Sequence, residues 1–400
     1  MAALTVLGSS SAFALIDVGT TDASDGAINV NSFENRVLAL SEASPANWDA
    51  VSPVPGKGVY DNNVFAVVYK FSTLNIPLNA SITFSNRANT CPVVIIVQGN
   101  ATIDGTINLN SNGSQPGPGG FFGGAFGNTA GTILGSAGGG PGGGQPSSTN
   151  GVLAGSGSYS TFGTAGIGLG SLYGNDRIIP LIGGSGGGAY YQNSGQGGGG
   201  ALLLVVRGTL TVNGSIQANA PSVSFNLYGA GSGGAIRFIT ETLAGTGNLQ
   251  AISGGGNNTT GGQGRIRIEK INGALTGQST APIPSYGSVG VVAKLWPDNL
   301  DPSVSVVSVG SISAPTDPFG GLTAPDIELP SEGPFTVQAQ AKNIPTNGTW
   351  SVVLRSNLRN GAAFETPMTF QSGNQLLSYW TTSLTFAEGL RTIQVRAFKP

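Results

Sequence analysis

Histidine does not occur in the 400 residues, and cysteine occurs once, as Cys91. The commonest general base and the commonest metal ligand are therefore missing together, and no intrachain disulfide framework can form. Carboxylates are what remains for acid–base work. Cleaving a polysaccharide takes two of them about 5–10 Å apart, or acids gathered with a base on one face. Between residues 62 and 240 the acids are Asp104 and Asp176. Each lies in a turn sequence, Asp104-Gly105 and Asn175-Asp176, where a short polar side chain bonds its own backbone. The residue types thus predict no catalytic group and no cofactor.

A later concentration of acids, Asp298, Asp301, Asp317, Asp326 and Glu328, has the oxygen chemistry of a calcium site but none of the Asp-x-Asp or GGxGxD spacing that would converge the ligands. Its ordinary role is loop solvation, so no metal is assigned. The glycine runs contain no GxxxxGK[ST] and are not phosphate loops. Asn79, Asn100, Asn112, Asn213, Asn257, Asn258 and Asn347 stand in N-x-[ST] sequons, which mark only where a glycan could be attached.

Charge narrows the partners. Seventeen Lys and Arg against nineteen Asp and Glu leave a net −2, with the bases scattered singly. Nucleic acid and anionic membrane surfaces are poor fits to that pattern. The nearest basic cluster, Arg265, Arg267 and Lys270, reads as the solvated face of a strand. No segment approaches the roughly 20 apolar residues that span a bilayer. The opening MAALTVLGSSSAFAL has a short apolar core and an Ala12-Phe13-Ala14 step, which reads as a secretory signal remnant or an N-terminal strand in an exported protein.

The elements that would position any site are strands. From Val64 the chain turns to β-patterned runs, among them PVVIIV, where Cys91 beside Pro92 reads as a buried small hydrophobe. Three stretches repeat one another: VQGNATIDGTINL from Val97, VRGTLTVNGSIQA from Val206 and ITETLAGTGNLQA from Ile239, with a weaker echo in GRIRIEKINGALTG. Short strands divided by glycine turns, with no helical period between them, predict coils of a parallel β-helix. Its inward side chains would be Ile103, Ile107 and Leu109, then Leu210, Val212 and Ile216, then Leu243, Leu249 and Ile252. Between Gly113 and Gly200 lies a glycine-rich insertion studded with aromatic and aliphatic residues. Those residues argue for an ordered, non-regular lobe of extended or polyproline-II-like segments, since a flexible linker would leave them exposed.

Prolines 282, 284, 297 and 302 open a new texture. Beyond it Phe335, Val337, Ala339 and Ala341, then Trp350, Val352 and Leu354, then Ile393, Val395 and Ala397 alternate with polar residues. Period-two runs at short spacing predict an antiparallel, immunoglobulin-like β-sandwich without a disulfide, with 303–312 as a candidate first strand. The expected organisation is all-β: a signal remnant or strand over 1–23, a glycine-rich β-helix-like domain over 24–290, a proline-rich linker with the first sandwich strand over 291–330 and a β-sandwich over 331–400.

The strings YGNDRIIPLIGGSGGGA, GGGGALLLVVRGTLTVNGSIQA, GSGGAIRFI and GGQGRIRIE, preceded by Asp25-Gly26-Ala27 and by GVYDNN from Gly58, resemble a glycine-rich module of exported proteins from environmental bacteria. AKNIPTNGTWSVVL resembles the sandwich domain that accompanies it. The resemblance implies export and a surface or structural role, and brings no catalytic residues. Together these readings predict a non-enzymatic, secreted or cell-surface structural protein that self-assembles into a fibre or matrix, with an adhesin or receptor-binding module, bacterial or phage, recognising surface glycans such as polysaccharide as the alternative. Trp380 belongs to a core, whereas Tyr190, Tyr191, Phe121 and Phe122 are candidates for a contact surface.

Overall fold

The computed structural model describes residues 22–52, 54–127, 135–164, 166–222, 227–255, 258–277, 279–289, 293–318, 320, 325–359 and 361–399. The signal-like stretch 1–14, Ile133, Leu134 and Asn257 lie outside the described residues. Among the described residues the chain is all-β, with one 3-10 turn, Leu40–Glu42, and no α-helix.

The first strands are β1 (Gly26–Asn29), β2 (Asn35–Ala39), β3 (Ser44–Pro45), β4 (Val59–Asp61), β5 (Ala66–Ile76), β6 (Ser81–Ser85), β7 (Val93–Val97), β8 (Ala101–Ile103) and β9 (Thr106–Asn108). Beyond the glycine-rich lobe come β10 (Ala201–Val212), β11 (Ser215–Gln217), β12 (Ala235–Ala244), β13 (Asn248–Gln250), β14 (Arg265–Gly273), β15 (Thr280–Ala281) and β16 (Ser285–Ser288). The larger sheet runs β16-β14-β12-β10-β7-β5-β4-β3, and a second runs β15-β13-β11-β9-β6-β2. β3, β4 and β5 follow one another in the larger sheet; from β5 onward the chain alternates between the two and advances one level at each pass, with β7 and β8 sharing a level. All pairings are parallel except β4 with β5, which are antiparallel.

Inner side chains of both sheets form one core. Ile103, Ile107, Leu109, Leu210, Val212, Ile216, Leu243 and Leu249 belong to it as the repeats predict. Ile252 does not, and Ala251 takes the inward place instead. After β9 and β11 Asn110 and Asn219 hold the corresponding outer positions: the Asn110 Oδ1 accepts from the Asn219 N–H at 2.7 Å, and the Asn219 Oδ1 from the Ile252 N–H at 2.8 Å. The aligned pair Val206 and Ile239 is also out by one. Val206 pairs with Thr240, and Leu210 with Leu243, because the register shifts between Val206 and Thr209. A bulge absorbs the extra residue and keeps both flanking apolar sets facing inward.

Strands such as VVIIV and ALLLVV are continuously apolar because both faces are covered. Val94, Ile96, Leu203, Val205 and Ile239 point outward and are roofed by Trp48, Leu181, Ala293, Leu295 and Trp296. Arg237 lies buried on that face and fastens the roof. Its guanidinium pairs with Glu269 at 3.0 Å and donates to the carbonyls of Lys294 (2.7 Å) and Leu295 (3.3 Å).

The carboxy-terminal strands are β17 (Ser303–Val309), β18 (Ile312–Ser313), β19 (Gly333–Lys342), β20 (Ser351–Leu358), β21 (Ala363–Pro367), β22 (Thr369–Gly373), β23 (Leu377–Phe386) and β24 (Arg391–Phe398). They form an antiparallel five-stranded sheet, β18-β17-β19-β23-β22, and a three-stranded sheet, β21-β20-β24. Val337, Ala339, Ala341, Val352, Leu354 and the buried Trp380 fill one core between them.

Candidate functional site

The carboxylates do not converge. Asp104 accepts from the Asn213 Nδ2 at 2.7 Å, across one coil, and Asp176 pairs with Arg265 at 2.8 Å. Arg265 is accordingly tied down rather than free on a solvated face, and its guanidinium also lies 5.4 Å from the Tyr159 ring centre. Arg267 pairs with Glu269 at 3.4 Å. The later acids disperse as well. Asp298 and Asp301 both hold Lys294 (2.8 and 2.7 Å), Asp326 accepts from the Gly320 N–H, and Asp317 reaches back to the first coils. Among the described residues no three His, Cys, Asp or Glu side chains are placed to hold a metal ion.

Asp317 stands at the centre of the most chemically mixed spot. The Tyr60 hydroxyl donates to its Oδ1 at 2.5 Å, and the Asn89 Nδ2 donates to the Tyr60 oxygen (2.8 Å) and to Asp317 (3.1 Å). The Arg87 guanidinium lies 4.0 Å above the Tyr60 ring. Two open clefts of about 320 and 280 Å³ flank this knot. Burial first, and then the Asp317 carboxylate, drive the Tyr60 phenol far above its ordinary range, so it cannot serve as a base near neutral pH. The groups act as a clasp between the first strands and the connection from β18 to β19 in the second pair of sheets.

Asp25-Gly26-Ala27 and GVYDNN, two of the segments quoted from the sequence, meet in the fold. The Asp25 carboxylate accepts the backbone N–H groups of Gly56 (2.9 Å), Gly58 (3.1 Å) and Lys70 (2.7 Å). Asp61 is buried and accepts from the N–H groups of Trp48 (2.7 Å) and Asn63 (2.8 Å). Their chemistry is that of internal acceptors for turn backbone, with no open position for a ligand.

The glycine-rich lobe is ordered by its main chain. Gly184 and Gly187 donate to Gly199 and Gln196, whereas Gly186 and Ala189 of the same segment donate to Gly139 and Ser136. Likewise Gly195, Gly198 and Ala201 donate to Gly124, Phe121 and Pro118, while Gln196 and Gly199 donate to Gly229 and Ser232. A strand alternates its partners every second residue. Here each partner recurs every third, which is the period of a polyproline-II helix. The segments therefore form a laterally hydrogen-bonded bundle. The glycines of 183–200 have φ outside the left-handed region, and a Cβ on most of them would collide with a neighbouring carbonyl, as Gly198 with Gly184. Space, not conformational freedom, demands glycine there.

A core made of backbone has no room for large side chains. Tyr159 and Ile178 are buried at the lobe's base, but Phe126, Phe162, Ile167, Leu169 and Leu172 are exposed, contrary to the expectation that an ordered lobe would cover them. The alternation Gly166-Ile167-Gly168-Leu169-Gly170 was the available signal. Of the predicted contact residues, Phe122 is exposed, and Phe121 and Tyr191 are half-buried. Tyr190 is buried: its ring packs 4.8 Å from that of Tyr191, and its hydroxyl accepts from the Gly151 N–H at 3.1 Å. It holds the lobe together rather than offering a face.

Exposed apolar groups are spread over the surface, Leu78, Leu300 and Leu376 among them, and some lie at the ends of the two sheets. Phe33 (80% exposed) and Val37 (54%) lie at the β2 end, and Ile283 (86%) and Tyr286 (56%) at the β15 and β16 end. Phe33 also holds φ at +64°, an uncommon conformation for a bulky side chain. No helix among the described residues is long and apolar enough to cross a membrane. Comparison with protein-family models, with curated proteins and with solved structures finds no match.

Proposed function

We propose that the chain is a non-enzymatic structural protein of the cell surface, exported, and assembled from copies of itself into a fibre or matrix. Residues 24–290 are read as a parallel β-helix-like stack carrying the glycine-rich insertion. Residues 331–400 are read as an immunoglobulin-like sandwich joined to it by 291–330. The alternation of one chain between two parallel sheets supports the first reading, and two antiparallel sheets around one core support the second.

The observation that carries self-assembly is the pair of sheet ends that are open among the described residues, each with exposed apolar side chains at or beside a strand bonded on one side only. Such edges template further strands unless they are covered. Light scattering and electron microscopy of the purified full chain across a concentration series test this reading. Concentration-dependent oligomers or filaments are expected, and a monomer throughout would overturn it.

A second reading, an adhesin for uncharged surface polysaccharide, is favoured by Ile167 and Leu169 standing outward between glycines on a rigid lobe. Saturable binding of the full chain on a glycan array, lost in Ile167→Ser/Leu169→Ser, would support it. An array without signal would remove it.

A further inference from the structure

The two open ends are not equivalent. At the carboxy-terminal end β15 has two residues and β16 four, and Pro282 and Pro284 stand between them. Short strands and prolines blunt an edge, because proline has no N–H to offer and little ladder remains beside it. At the other end β2 has five residues, and no proline occurs from 30 to 44. Among the described residues β2 is bonded on one side only, to β6.

The direction of its free groups follows from the ladder. The Ser81 N–H donates to the Glu34 carbonyl at 2.9 Å, which sets Glu34, Arg36 and Leu38 toward β6. In a parallel pair the intervening residues turn away, so Asn35, Val37 and Ala39 direct their N–H and C=O outward along the edge.

We infer that β2 pairs with β2 of a second copy, antiparallel, about a two-fold axis passing beside Val37. This rests on the self-association proposed above and names its first contact. The edge is self-complementary. The axis sets Asn35 against the partner's Ala39 and Val37 against the partner's Val37, and every facing pair exchanges both of its hydrogen bonds. The charges do not oppose it, since Glu34 and Arg36 are already paired within one copy at 2.5 Å. The exposed Val37 side chains become a cross-strand apolar pair, and Phe33 lies just before the pairing strand. Continuing the stack head to tail is the poorer fit, because two-residue β15 would leave most of β2 unpaired. The occupant of this edge is therefore the same edge, and a longer filament needs a different contact at its other joint.

Val37→Cys tests the axis directly. Cys91 is buried, so the substituted position would carry the accessible thiol. Directly opposed, hydrogen-bonded residues of an antiparallel pair have Cα atoms about 5.5 Å apart, within the roughly 4.4–6.8 Å that a disulfide spans. A covalent dimer on mild oxidation is expected, and none from Ile283→Cys treated identically. Val37→Pro removes an outward N–H and leaves the bond pattern to β6 intact, so the variant should keep the wild-type circular dichroism while dimer affinity falls at least about tenfold. Oligomers that form normally without a crosslink in Val37→Cys, and that are insensitive to Val37→Pro, would overturn this inference and leave self-assembly standing. A wild-type chain that is monomeric at every concentration would remove both.

Discussion

The Arg355 guanidinium donates to the Gly143 carbonyl at 2.9 Å although 212 residues separate them in the chain. Beside it the Asn357 Nδ2 donates to the Ala137 carbonyl at 3.1 Å, and the Gln145 side chain both donates to and accepts from the Ala363 backbone. Arg355 and Asn357 are buried, and burial lowers the affinity of Arg355 for its proton, with Glu365 opposing. Side chains of the three-stranded sheet thus satisfy carbonyls that the glycine bundle leaves at its margin. Arg355→Ala should cost about 1.5–3 kcal/mol, the range for a hydrogen bond to a charged donor. Calorimetry of Arg355→Ala should show unfolding that is broader or more clearly split than in the wild type as the two parts uncouple, and an unchanged profile would contradict the contact's importance.

Glycines of the bundle interior should be intolerant in a way that ordinary loop glycines are not. Gly198→Ala sets a methyl group against the Gly184 carbonyl and is expected to lose about 3 kcal/mol, as overpacking does. At Gly255 a Cβ would meet neighbours at ordinary contact, 3.4 Å or more, and Gly255→Ala should stay within about 0.5 kcal/mol of wild type. Urea midpoints of the two variants measure the contrast.

Asp25 serves three backbone donors with one carboxylate, those of Gly56 and Gly58 in a turn and of Lys70 in β5. Asp25→Ala orphans all of them and should cost about 3 kcal/mol or more, since each unsatisfied donor carries about 1–3 kcal/mol. Asp25→Asn should cost less, because its one oxygen can still serve Gly56 and Gly58. Equal losses in thermal unfolding would show that the charge, not the hydrogen-bond count, matters.

Alkali should unfold the protein through buried acids. Burial pushes the Cys91 thiol up to about 12 from 9.0, and the phenols of Tyr60, Tyr69, Tyr159 and Tyr173 are raised for the same leading reason. Below pH 9 both states keep the Cys91 proton and nothing is lost. Above it the unfolded thiol ionises while the native one does not, so the unfolded state binds fewer protons and stability falls. For Cys91 the window is pH 9 to 12, at about 1.4 kcal/mol per pH unit. The tyrosines add to the fall above their ordinary value of 10.0. Denaturant midpoints from pH 8 to 11 should drop progressively, and the native phenolate absorbance should rise by fewer than all nine tyrosines. A flat profile would contradict the burial.

The inward faces of these strands could be read in advance because period two is a local property. Leu210, Val212 and Ile216 alternate in the chain and alternate in the core, whatever lies next to them. The misplacements, Ile239 and Ile252, arise where the register is decided by a neighbouring coil: a bulge after Val206 in one case, and the ladder of Asn110 and Asn219 in the other. The contact residues were harder. Tyr190 between glycine runs looks exposed from its neighbours, yet it is buried by Gly151 and Tyr191.

Composition and alternation alone establish an all-β chain, the places of most of its strands and the want of histidine chemistry. What each glycine is for could come only from the folded chain. A bundle bonded at a period of three draws the partners of 183–189 from around 119, 136–139 and 196–199, and no window of sequence contains them all. The same holds for the open edge at β2. Whether a strand is covered is a property of what the rest of the chain leaves beside it, and the sequence of β2 is silent on its neighbours.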